Sequence, residues 1–178
     1  MKKTKLIAFS LFLAGALVFA QTAHENGGEN DDFTPERDVL RIIENRQIHN
    51  LNPHTTSFSA DAQILEAVYE GLYSYDPQNA SAVPALAVKY SISRDKKRWT
   101  FFLREDACFS NGTKITSEDV RSSWIQLLAT PDAPYSSLLD VVEGARDFRT
   151  GKGSEDQVGI YATGPYKLMV KLVEPVPY

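Results

Sequence analysis

Apolar and polar positions change period several times along the middle of the chain, and each change marks an element. Val88, Tyr90 and Ile92 alternate with polar residues, the period of a half-buried strand. Asp95-Lys96-Lys97 is a polar turn, and Trp99 to Leu103 is a second run of β-forming residues. Asn111-Gly112 supplies a turn in which one residue must accept positive φ. From there the period becomes helical. Thr116 or Ser117 is the expected cap, and Glu118 and Asp119 stand in the first turn, where negative charge is favourable. Val120, Trp124, Leu127 and Leu128 then recur at helical spacing.

Upstream, Val39 to Glu44 reads as a first strand, apolar enough for the inside of a sheet. Leu51-Asn52-Pro53-His54 is a turn, because Pro53 fixes its own φ and biases Asn52 away from helix. From Asp61, residues Ile64, Leu65, Val68, Tyr69 and Leu72 form one apolar helical face, with Gly71 near its end and Asp76-Pro77 closing it. Downstream, Thr130 to Tyr135 is a proline-broken loop, and Leu138 to Phe148 is a shorter helical pattern. Val158 to Tyr161 and Tyr166 to Val173 are strand-like runs separated by Thr163-Gly164-Pro165, with Leu168, Val170 and Leu172 on one face. The succession predicts an α/β domain without internal repeats or heptads.

The N-terminus has a different character. Lys2, Lys3 and Lys5 precede an apolar run, Leu6 to Phe19, that is short for a membrane span and ends at Val18-Phe19-Ala20. This is the pattern of a signal peptide over residues 1–20, cleaved near Ala20, with a retained anchor helix as the alternative. Export to a periplasm is therefore expected, with no stable membrane insertion after cleavage. Residues 21–37 are polar, acidic and without periodicity, a flexible leader before a domain over residues 38–178.

Composition narrows the chemistry. With 43% apolar residues in 178, the chain can bury a core. Its net charge of −4, with no basic cluster above background, argues against a nucleic-acid partner. Arg94, Lys96, Lys97 and Arg98 read as a solvated hairpin turn. The single cysteine, Cys108, allows no intrachain disulfide and is expected to be a small apolar filler. Trp99 and Trp124 are expected to fix the helix against the sheet. No nucleophile elbow, phosphate loop or His-Glu-x-x-His occurs, so no catalytic residue, no metal ligand and no cofactor is assigned. His49 and His54 flank a proline turn and read as solvated or turn-bonding. Asp119 is expected to bond a turn amide.

Several of these blocks together resemble the extracellular solute-binding proteins, family 5, which serve peptide- and nickel-type ABC importers. The resemblance rests on Ala85-Leu86-Ala87, Ser93, Asp95, Trp99-Thr100-Phe101, Leu103-Arg104, Phe109-Ser110-Asn111-Gly112-Thr113, Ile115-Thr116, Glu118-Asp119-Val120 and Ser123-Trp124. A second block is Leu51 to His54 followed by Tyr69-Glu70-Gly71-Leu72, and a third ends at Pro175-Val176-Pro177-Tyr178. The resemblance implies a mixed-sheet, type II periplasmic-binding-protein fold, of which this chain holds the opening lobe only. It implies a non-enzymatic, periplasmic substrate-binding component whose partners are a peptide or other small solute and the permease subunits of an ABC importer. It places Tyr135, in Ala133-Pro134-Tyr135, beside the ligand, with Asn52, His54 and Ser57 on the neighbouring loop. Some peptide-binding members carry an acidic residue in that loop, where this chain has Thr55-Thr56-Ser57, which leaves nickel, opine or dipeptide-like ligands open. A truncated paralogue that binds nothing is the rival expectation. No cysteine near Ala20 supports a lipid anchor.

Overall fold

The two downstream alternating runs meet the two upstream ones in a single antiparallel sheet. The structure is a computed structural model that describes residues 49–176; the expected signal peptide, leader and Val39–Glu44 strand lie outside the described residues. A helix α1 (Ser59–Val68) leads into a short hairpin, β1 (Tyr73–Tyr75) and β2 (Ala82–Pro84). Next come β3 (Ala87–Ile92), β4 (Arg98–Leu103) and helix α2 (Ser117–Ala129). A 3-10 turn (Ser136–Val141), a short helix α3 (Ala145–Arg149), and the hairpin β5 (Ile160–Gly164) and β6 (Lys167–Lys171) complete the order. The architecture is mixed α/β, with strand order β3-β4-β6-β5 and every described pairing antiparallel.

The turns obey the residues that signal them. Lys96 takes positive φ in the β3–β4 turn, and the Arg98 amide donates to Ser93 Oγ. In the Asn111-Gly112 turn, Gly112 has φ 83° and the Thr113 amide donates to Asn111 Oδ1 at 2.9 Å. Thr116 caps α2, and its amide donates to Asp119 Oδ2 at 2.7 Å, a capping box that occupies the first-turn carboxylate.

One face of the sheet carries the core. Phe101 pairs with Leu168, and Trp99 with Val170, so these side chains share a face. Against it, Ile125 and Leu128 of α2 pack with Ile160, Leu168 and Val170, joined by Val142, Ala145 and Val158. Burial of a side chain such as Leu128 contributes about 1.5–3 kcal/mol. Trp124 and Val120 pack on the rim of this cluster, as their spacing predicts. A smaller cluster, Leu86, Ala87, Leu103 and Ala107, closes the other end.

Five expectations change. Val88, Tyr90 and Ile92 do form a strand, but all three are exposed, because α2 packs on β5 and β6 and leaves the β3–β4 half of that face uncovered. Trp99 accordingly stacks on Tyr90, centroids 5.2 Å apart, and on Phe101, while Trp124 alone of the two indoles packs against the main core. The Leu138–Phe148 pattern is not one helix: Gly144, at φ 71°, separates the 3-10 turn from α3, and Val142 bridges to Leu172. Cys108 is exposed, in a bridge opposite Lys114, and is no core filler. The helix at Asp61 forms, yet Val68 and Tyr69 at its end are 66% and 58% exposed.

Candidate functional site

Helix α2 is the element from which the candidate site residues are placed. Its N-terminus is held to the β5–β6 turn, where Ser117 Oγ donates to the Gly164 carbonyl at 2.6 Å and the Ser117 amide to Pro165 at 2.8 Å. Farther along, Arg121 donates to the Ile160 carbonyl and bridges Glu118 and Glu155, tying the helix to β5.

Asn52 and His54 belong to a turn that rests on the flank of this helix. Asn52 Oδ1 accepts from the His54 amide at 2.9 Å, its own amide donates to Asn50 Oδ1, and its carbonyl accepts from the Thr55 and Thr56 amides. Asn52 is thus the keystone of the turn, as an Asx residue before proline can be. The His54 ring stands 3.4 Å from Ser123 Oγ on α2, half-buried, and that burial holds its imidazole below its ordinary pKa, hence neutral at pH 7. Ser57 is exposed at the end of the turn, just before α1.

Beneath the turn lies a polar contact that sequence spacing did not signal. Asp61, fully buried in the first turn of α1, accepts from Thr56 Oγ1 at 2.7 Å and lies 3.0 Å from His49 Nδ1. His49 is therefore a partner of a buried carboxylate and not a solvated histidine. A buried carboxylate needs such partners, since its desolvation is otherwise costly.

Tyr135 lies on a different segment of the chain, after α2. It follows the Thr130–Pro134 loop, precedes the 3-10 turn and is 45% exposed, so its ring is open to contact. Helix α2, which carries Ser123, ends at Ala129, and Tyr135 follows six residues later in the chain. His54 thus contacts α2 directly, while Tyr135 belongs to the segment that follows it, just before the 3-10 turn. A shallow recess of about 260 Å³ lies elsewhere, lined by Asp140, Val142, Gly144, Arg146, Asp147 and Val173. Beside it Arg149 grips Asp140 through both Nε (3.0 Å) and Nη2 (2.7 Å). Among the described residues no group of His, Cys, Asp and Glu has the geometry to hold a metal ion.

The model of the bacterial extracellular solute-binding proteins, family 5, matches residues 81–178, more than half of the chain. This chain belongs to that family. It is 30% identical over 172 residues to the periplasmic oligopeptide-binding protein OppA of Haemophilus influenzae, covering 94% of this chain and 31% of that protein. The dipeptide-binding protein DppE of Bacillus subtilis is also 30% identical, over 186 residues, with 34% of its length covered. The crystal structure of Haemophilus influenzae OppA in complex with RPPGFSPFR superposes with a TM-score of 0.68 at 34% identity, over 72% of this chain and 25% of that one. The chain therefore spans about a third of the length of the curated relatives it matches. These family 5 relatives are solute-binding proteins, and the described strands and helices are the fold they share.

Proposed function

We propose that this chain captures peptides for an ABC importer, as the opening lobe of a periplasmic family 5 receptor, and has no enzymatic role. The observation that carries this reading is Tyr135: an exposed ring six residues past the end of a core helix, in a family whose matched relatives are named for oligopeptides and dipeptides. A phenol offers flat apolar area and one hydroxyl, which suits ligands that differ in side chain but share a backbone. Main-chain hydrogen bonding would supply affinity whatever the peptide sequence. His54, beside Ser123 of α2, and Ser57, exposed at the end of the same turn, would line a further part of the wall, with Asn52 holding their turn in shape. Because pockets bury roughly 70–90% of a small ligand, one such wall needs a second lobe opposite it.

Calorimetric titration with a mixed peptide library tests the reading on two proteins: the mature chain, and the same chain joined to the rest of the sequence of the Haemophilus influenzae relative. The joined protein should bind peptides, and Tyr135→Ala should weaken that binding by about 2 kcal/mol, roughly thirtyfold. Binding of nickel or an opine with no response to peptides would refute it. Micromolar peptide binding by the short chain, abolished by Tyr135→Ala, would keep the ligand class but refute the need for a second wall. The expected export is read separately, from an N-terminus beginning near Gln21 on periplasmic material.

A further inference from the structure

We propose that the outward face of the four-stranded sheet is a docking surface for anionic phospholipid headgroups. The strand register assembles there what the linear sequence disperses. Lys89, Phe102 and Lys167 form one cross-strand row; Ser91, Thr100, Met169 and Tyr161 form the next; Arg98 and Lys171 form a third. All of these lie on the face opposite the core, since their neighbours Tyr90, Phe101, Leu168 and Val170 point toward the side on which α2 packs. None of these positions is acidic, although the whole chain carries a net charge of −4. The β3–β4 turn extends the positive edge with exposed Arg94, Lys96 and Lys97, where the one carboxylate, Asp95, accepts from Ser93 and the Lys97 amide. Glu143 stands at the β5 corner of the sheet.

Charge alone would suit any acidic partner; the form of the face selects a bilayer. Lys89 Nζ lies 5.1 Å and Lys167 Nζ 5.9 Å from the centroid of the Phe102 ring, and Lys171 Nζ 5.3 Å from that of Tyr161. Half-buried aromatic rings and Met169 thus lie low between flexible ammonium groups. The cations are mostly lysine, which acts as a hydrated point charge and not as a fork for a single carboxylate. The described recess is lined by Asp140, Val142, Gly144, Arg146, Asp147 and Val173, none of which belongs to these rows. Aromatic rings among lysines are also the composition of a membrane–water interface. This inference does not depend on the peptide reading.

The test is co-sedimentation of the full chain with vesicles of phosphatidylcholine alone, or of phosphatidylcholine mixed with phosphatidylglycerol. Binding is expected only to the mixed vesicles and should fall with added salt. At about fivefold per basic residue, the triple variant Lys89→Gln, Lys167→Gln, Lys171→Gln should lose about a hundredfold in affinity. Lys114→Gln with Lys152→Gln, off this face, should change nothing. Lys2, Lys3 and Lys5 precede an apolar run that can itself bind bilayers, so each comparison is repeated with these three changed to Gln. If circular dichroism shows the triple variant unfolded, Lys167→Gln alone should still give about a fivefold loss. Equal binding to neutral vesicles, no binding at all, or binding unaffected by the face variants overturns the proposal. Retention on polyglutamate with vesicles ignored also overturns it, in favour of an acidic protein partner.

Discussion

Gly144→Ala is the substitution for which the structure sets the largest backbone penalty. Gly144 sits at φ 71°, ahead of α3, and a methyl carbon there would lie 2.2 Å from the Gln157 carbonyl oxygen and 2.9 Å from its carbon. Both are backbone atoms, so no side-chain rotation relieves the overlap. The left-handed conformation itself costs an L-residue roughly 1–2 kcal/mol. Moving the two segments apart stretches the bonds beside the contact: Gly159 N–H to Glu143 O at 2.7 Å, and Glu143 N–H to Lys171 O at 2.9 Å. At about 1 kcal/mol each, their loss brings the total to about 3–4 kcal/mol, or a melting point lower by about 10 °C. Gly151→Ala separates the two terms, since Gly151 has nearly the same φ, 74°, with nothing within 4 Å of the added carbon. Urea unfolding followed by circular dichroism should give about 1 kcal/mol for Gly151→Ala and three to four times that for Gly144→Ala. Equal costs at the two positions would refute the argument, because the backbone contact would then carry no penalty.

Trp124→Ala should cost about 3 kcal/mol in the same assay, the lower end for an aromatic residue because the indole packs on the rim of the core; a cost below that of Trp99→Ala would show the roles of the two indoles reversed. Ser117→Ala removes the donor to the Gly164 carbonyl in a buried place and should cost about 1–2 kcal/mol, with an unchanged urea dependence checking that the fold persists. His54 is held below its ordinary pKa of 6.5 by burial, so the unfolded chain binds the proton more readily. Stability should fall as pH drops through 6.5, and His54→Gln should flatten that part of a stability–pH curve; an unaltered curve would refute the assignment.

What the sequence made legible is what local chemistry decides. The Thr116–Asp119 box, the Asn111-Gly112 turn and the alternation of Leu168 and Val170 each bind a residue type to a backbone state within a few positions, and each is where the residues place it. Misread elements depend on a distant partner. Whether Val88, Tyr90 and Ile92 are covered is decided by where α2 crosses the sheet, which no period-2 pattern contains. Gly144 inside an apolar period was a local warning, but its backbone state is enforced by Gln157, thirteen positions on. His49 and Asp61 are twelve apart across a proline turn, a spacing with no helical or strand signature. The hairpin of β1 and β2, three residues per strand, is too short to show a period.

The same division explains why the candidate site was only partly readable. Tyr135 is singled out by the family resemblance that Ala133-Pro134-Tyr135 carries, since nothing in its own spacing marks a ligand contact. The roles of Asn52 and His54 could not be read, since Asn52 binds its own turn while His54 reaches Ser123, sixty-nine positions away. That contact sets the turn beside α2, and α2 in turn is bonded at Ser117 to the β5–β6 turn. Helix α2 itself is anchored in the core by Leu128 and Ile125.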